Sequence, residues 1–123
     1  MKRRETGDKG ERIAAEYLSA HGYHILECNF RTREGEIDIV AESDGTLVFV
    51  EVRTKTSRNF GTPEESITVR KKARLIALAE AYIDGHDDAP ASWRIDVVAI
   101  ELGPGGKPAR LEHIENATDW GMA

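Results

Sequence analysis

The sequence predicts an α/β fold: a helix, three strands, a second helix and two further strands in one domain. Three observations carry this. Two strand-like runs, GEIDIVA and LVFVEVR, flank Asp44-Gly45, a dipeptide suited to the φ > 0 positions of the favoured two-residue hairpin turn. Residues 8–21 and 69–84 repeat apolar side chains at helical spacing. Residues 92–102 (SWRIDVVAIEL) form a further strand-like run.

In the first helix Ala14, Ala15, Tyr17 and Leu18 share one side, and Gly22 stands at a C′ position. Glu11 falls among them, while Glu16 points away. A carboxylate on a core-facing side is costly unless paired or metal-bound. Glu11 also reads as a first-turn acid favoured by the helix dipole, or as a salt bridge at the edge of the face. Residues 22–32 read as the first strand. In the hairpin that follows, a turn at Asp44-Gly45 sets Ser43 opposite Thr46, Asp38 opposite Glu51 and Glu36 opposite Arg53, with all four of these charged residues on one face. Like charges opposite each other are destabilising. The Asp38–Glu51 pair therefore calls for a compensating cation, and a divalent metal is the obvious one.

Residues 57–63 are a loop. Thr62-Pro63-Glu64-Glu65 has the form of a capping box with proline at the first helical position. The β-branched run Ile67-Thr68-Val69 interrupts it, so a short turn is expected before the second helix. That helix has an apolar stripe of Leu75, Ile76, Leu78, Ala79, Tyr82 and Ile83. Lys71 and Lys72 extend the stripe, whereas Arg70 and Arg74 point away. Lys71 or Lys72 either reaches toward the sheet or snorkels along the core edge. The fourth strand puts Arg94 and Asp96 on one face and Trp93, Ile95 and Val97 on the other. Residues 103–108 (GPGGKP) are a turn, residues 109–114 an edge strand, and residues 1–6 and 116–123 loose termini.

At 123 residues, with 40% hydrophobic and 32% charged side chains, the chain fits one soluble domain spanning 1–123. No run reaches membrane-spanning length. Met1-Lys2-Arg3-Arg4 is followed by Glu5-Thr6-Gly7-Asp8 rather than an apolar segment, unlike a secretory signal. The single cysteine, Cys28, allows neither an intrachain disulfide nor a zinc-thiolate site. A cytoplasmic location is therefore expected. The net charge of −5 argues against a generic basic nucleic-acid binder. Its distribution is uneven: residues 53–74 carry a local +5, and residues 13–52 a local −6. A basic segment beside an acidic one fits a phosphate track next to a metal pocket, and equally a solvated helix face.

Glu11, Asp38 and Glu51, with Arg53 two residues further on, are the ingredients of an oxygen-rich Mg²⁺ or Mn²⁺ site. The G-x-x-G-E of the helix (Gly7, Gly10, Glu11), the strand GEIDIV, and VFVEV followed by a basic residue resemble the PD-(D/E)XK nuclease superfamily. More closely, the chain is similar to the bacterial YraN-like family, which has an endonuclease-like domain; the resemblance covers about residues 7–115. It implies a restriction-endonuclease-like core, a mixed sheet of about four to five strands flanked by helices, as in archaeal Holliday-junction resolvases. It implies Asp38 and Glu51 as metal ligands and Glu11 as the helix-borne acid of the resolvase-like branch. The superfamily's E-x-K lysine is Arg53 here. Arginine is a poor base but a good phosphate clamp, and Lys55 or Lys71 offers a displaced lysine.

The expected function is a metal-dependent nuclease acting on DNA, branched or single-stranded substrates included, of the kind used in repair or recombination. Asp38, Glu51, Arg53 and Lys71 would be catalytic, Glu11, Asp38 and Glu51 would bind metal, and Arg31, Lys55, Arg58, Lys71 and Lys72 would contact nucleic acid. RNA is the other candidate nucleic acid, and a second copy of the chain a candidate partner; no membrane is expected. The alternatives are a non-catalytic nucleic-acid-binding module on the same scaffold and a protein-interaction or dimerisation domain.

Overall fold

The computed structural model describes residues 3–117. In chain order the elements are α1 (Arg3–Ala20), β1 (His24–Thr32), β2 (Gly35–Ser43), β3 (Thr46–Lys55), a single 3₁₀ turn (Glu64–Ser66), α2 (Val69–Asp84), β4 (Ser92–Leu102), a turn at Pro104–Gly106 and β5 (Pro108–Ile114). The five strands lie in sequence order in one sheet. β3 and β4 are parallel, joined through α2; every other neighbouring pair is antiparallel. This five-stranded mixed sheet flanked by two helices is the arrangement expected of a restriction-endonuclease-like core.

The helices cover opposite faces. On β3, Val48 and Val50 pack with Ala14 and Leu18 of α1, while Leu47 and Phe49 pack with Leu75, Leu78 and Tyr82 of α2. Alternation along a strand puts these two sets on opposite sides of the sheet.

α1 begins at Arg3, five residues before the expected start, so the segment expected to be loose is helical from its third residue. Its buried side is Thr6, Gly10, Ala14 and Leu18, spaced four apart on one helix face. The first two carry no hydropathy signal, which is why the sequence pattern begins late. The helix ends where expected: the Tyr23 N–H donates to the Leu18 carbonyl (3.0 Å) and Gly22 takes φ 87°, a Schellman cap. Gly10 meets β3 closely, and a Cβ there would lie 1.8 Å from Thr54 Oγ1.

The hairpin has the expected register, Ser43 opposite Thr46 and Ile39 opposite Val50, with Asp44 and Gly45 both at positive φ (49° and 79°). The β2–β3 ladder ends at the Ile39–Val50 pair. On the other side of β2 the ladder skips the position where Asn29, at φ 57°, stands opposite Asp38. Ile37 packs on the α2 side and Ile39 on the α1 side, although residues two apart on a regular strand share a face. Alternation thus breaks at Asp38, and the sheet opens there.

At the C-terminal end, Asn116 and Ala117, expected to be loose, are tied down. The Asn116 N–H donates to Asp96 Oδ1 (3.0 Å), the Ala117 N–H donates to the Ile95 carbonyl (2.7 Å), and Ala117 is buried. Residues 1–2 and 118–123, the rest of the expected loose termini, lie outside the described residues. Among the described residues no helix is long and apolar enough to cross a membrane.

Candidate metal centre

Where β2 parts from β3, the Val52 N–H, which would continue the ladder, donates to Asp38 Oδ2 instead (2.8 Å). A side chain has replaced a main-chain acceptor, and this fixes the carboxyl at the mouth of the split. Glu11 comes from α1 and Glu36 from the start of β2. One oxygen from each of Glu11, Glu36 and Asp38 lies within 4.8 Å of the others. Asn29 bridges two of them, its Nδ2 donating to Glu11 Oε1 (2.9 Å) and Glu36 Oε1 (2.8 Å). Its left-handed backbone, tolerated by asparagine, puts the amide there.

Glu51 also neighbours Asp38. It is 4% exposed and is paired with Lys71 Nζ (3.1 Å) and more distantly with an Arg53 guanidinium nitrogen (3.5 Å). Arg53 Nε also donates to Ser66 Oγ (2.9 Å), tying the 3₁₀ turn to the site. Lys71 sits in the first turn of α2, where Thr68 Oγ1 caps its N–H (3.1 Å).

Burial pushes the Asp38 carboxyl up to about 8. The Glu51 charge adds to this, the Val52 hydrogen bond opposes it, and Glu11 contributes further upward. Such a carboxyl holds a proton at neutral pH unless a cation replaces it. Glu11, Glu36 and Asp38 form a donor set of hard oxygens suited to Mg²⁺ or Mn²⁺; Glu51, expected among the ligands, is not in this convergent group and is paired with Lys71 and Arg53 instead.

Glu36, Asp38, Glu51, Arg53 and Lys71 all line one cavity of about 260 Å³. The four hairpin side chains expected on one face thus line one cavity, although the ladder stops short of the expected Asp38–Glu51 and Glu36–Arg53 pairs. Arg74, expected to point away, lines the same cavity. Glu36 was absent from the expected ligand set; its signal is the two-residue spacing from Asp38 in GEIDIV. Asn29 gave no sequence signal of its role.

The basic residues expected to contact nucleic acid are scattered. Arg31 pairs with Glu36 (2.7 Å) and is exposed. Arg58 makes a two-point contact with Glu101 (2.6 and 2.8 Å), an anchor for its loop. Lys55 Nζ donates to the Phe60 carbonyl (3.2 Å). Lys72 is 4% exposed, which takes it off an accessible phosphate track.

Residues 10–100 match the sequence profile described as "Uncharacterised protein family UPF0102". Among relatives, the chain is similar to a UPF0102 protein of Roseiflexus castenholzii, 49% identical over 96% of both chains. It is likewise similar to one of Dehalococcoides mccartyi, 50% identical over 94% of this chain and 93% of the relative, and to one of Symbiobacterium thermophilum, 46% identical over 93% and 96%.

Proposed function

The chain belongs to the UPF0102 (YraN-like) family, and for its activity we propose metal-dependent hydrolysis of phosphodiester bonds in DNA. The observation that carries this is the convergence of Glu11, Glu36 and Asp38 within 4.8 Å, beside a buried Glu51 already paired with Lys71. Carboxylates from separate elements are gathered where the sheet opens, and burial holds Asp38 out of its ordinary titration range.

In this reading Asp38, with Glu11 and Glu36, holds Mg²⁺ or Mn²⁺ beside Glu51. When bound, such an ion polarises a phosphoryl oxygen and lowers the pKa of a bound water. Asp38 would hold the ion as a carboxylate, its proton passing to solvent. Asn29 orients two of the acids. Arg53 and Lys71 stand at the cavity wall, where their charges steady the negative charge that builds on phosphorus. Arg53 is a clamp and not a base.

The test is cleavage of branched, single-stranded and duplex DNA with Mn²⁺ or Mg²⁺. Wild type is expected to cut at least one substrate. Removing partners that merely orient a metal ligand already costs about 10–100-fold, so Asp38→Asn is expected to lose at least about a hundredfold. Cleavage unchanged in Asp38→Asn would sink the assignment. Arg53 in place of lysine favours a second reading, a binding module on the nuclease scaffold. Retained binding with no cleavage by wild type under either metal is its signature.

A further inference from the structure

We infer that the groove on the α1 side of the acid cluster takes an unpaired nucleic-acid strand, one base of which stacks on the ring of Phe60. This names the substrate class of the site proposed above and rests on that reading.

Phe60 is 92% exposed, and the loop that presents it is anchored on both sides. Before it, Arg58 is held by two hydrogen bonds to Glu101. At its own carbonyl, Lys55 Nζ donates (3.2 Å). Immediately after it, the Gly61 N–H closes a turn on the Arg58 carbonyl (3.0 Å), with Gly61 at φ 93°. Next come the reciprocal bonds of Thr62 and Glu65: Thr62 N–H and Oγ1 both donate to Glu65 Oε1, and the Glu65 N–H donates to Thr62 Oγ1. Isolated exposed apolar side chains are common on surfaces. A phenyl ring held out to solvent by a loop tied at this many points is preorganised for a flat apolar partner.

The ring does not stand alone. It lines a groove of about 760 Å³ that also reaches Arg3, Thr6, Glu11, Arg53 and Lys55. That volume is within the range of small-ligand sites, about 300–1,000 Å³. The groove therefore brings together an aromatic platform, three cations and an acid of the metal centre. Aromatic platforms with cations along the track are how proteins hold single strands, because an unpaired base offers its π-face. In a duplex that face is buried in the stack. The groove chemistry thus selects an unpaired strand over an intact duplex.

The test is anisotropy in EDTA at low salt, with a labelled blunt DNA duplex and the same duplex carrying a single-stranded tail. Wild type is expected to prefer the tailed duplex. Phe60→Ala should weaken binding of the tailed duplex about tenfold, within the range of one lost base–aromatic stack, and leave the blunt duplex unchanged. Phe60→Trp should keep the preference. An unchanged Mn²⁺-induced rise in Tm in Phe60→Ala would show that the fold and the acid cluster are intact. Equal affinity of wild type for the two substrates, an unaltered Phe60→Ala, or no binding to either overturns the inference. Metal-dependent cleavage is scored separately, so a protein that cuts DNA without preferring tails loses this inference and keeps the proposed activity.

Discussion

At Asp38 burial and the neighbouring Glu51 charge favour the acid, and the Val52 N–H favours the carboxylate; the first two prevail and put the group near 8. The sign of the consequence follows from linkage. In the unfolded chain this proton leaves near 3.8. Between there and about 8 the native state binds more protons, so Asp38 lowers stability as pH rises through that window, and its effect levels off above it. An asparagine has no proton to lose. Since a pKa unit is worth about 1.4 kcal/mol, even part of this shift makes Asp38→Asn stabilising by about 2 kcal/mol at pH 8 in EDTA. The difference should vanish near pH 4. Denaturant unfolding of both proteins across that range is the measurement, and a pH-independent difference would mean that Asp38 ionises normally.

α1 bears on the site through Gly10. A helical glycine costs about 1 kcal/mol relative to alanine, so propensity alone makes Gly10→Ala stabilising. The contact says otherwise: the new Cβ would stand 1.8 Å from Thr54 Oγ1, and a β-branched side chain on a strand yields little. Overpacking of this kind costs about 1–3 kcal/mol. Gly10→Ala is expected to lower Tm and, because Glu11 is the next residue, to reduce the Mn²⁺-induced rise in Tm. A higher Tm with the metal response intact would show that α1 shifts freely. The same helix shows what the sequence conceals. α2 and β4 have the expected bounds, because apolar periodicity marks the one and a run rich in β-branched residues the other. The hairpin register was legible because Asp44-Gly45 admits few turns. The start of α1 was not, since Thr6 and Gly10 are buried by close approach and not by apolar bulk. Period two already puts Glu36 on the face of Asp38, but the register sets it opposite Arg53; the contact that joins it to Glu11 runs through Asn29 of the neighbouring strand, a tertiary effect the spacing does not contain.

Across the whole molecule a second buried acid opposes the first. Asp96 is fully buried on β4. It accepts from Arg94 Nε (2.9 Å) and the Asn116 N–H (3.0 Å), and His113 Nε2 lies 2.8 Å away. His113 in turn contacts Tyr17 of α1 (3.2 Å), so this one carboxylate ties β4, β5, α1 and the C-terminal turn together. Burial would raise its pKa, but the hydrogen bonds from His113, Arg94 and Asn116 outweigh it and hold the group below its ordinary value. The sign is therefore opposite to that of Asp38: Asp96 contributes stability above about 3.8, and this is lost as pH falls through its native pKa. The combined contribution of these two acids to the stability of the metal-free protein peaks near pH 4, falling toward acid through Asp96 and toward neutrality through Asp38. Saturating Mn²⁺ displaces the Asp38 proton and stabilises the native state by mass action, so it should erase the neutral-side decline. Asp96→Ala, which strands Arg94 beside an emptied site, should cost about 3–5 kcal/mol while leaving this effect of Mn²⁺ in place. Denaturant unfolding of wild type and Asp96→Ala, with and without Mn²⁺, decides the matter. A pH dependence that stays the same when the metal is added would separate Asp38 from metal binding altogether.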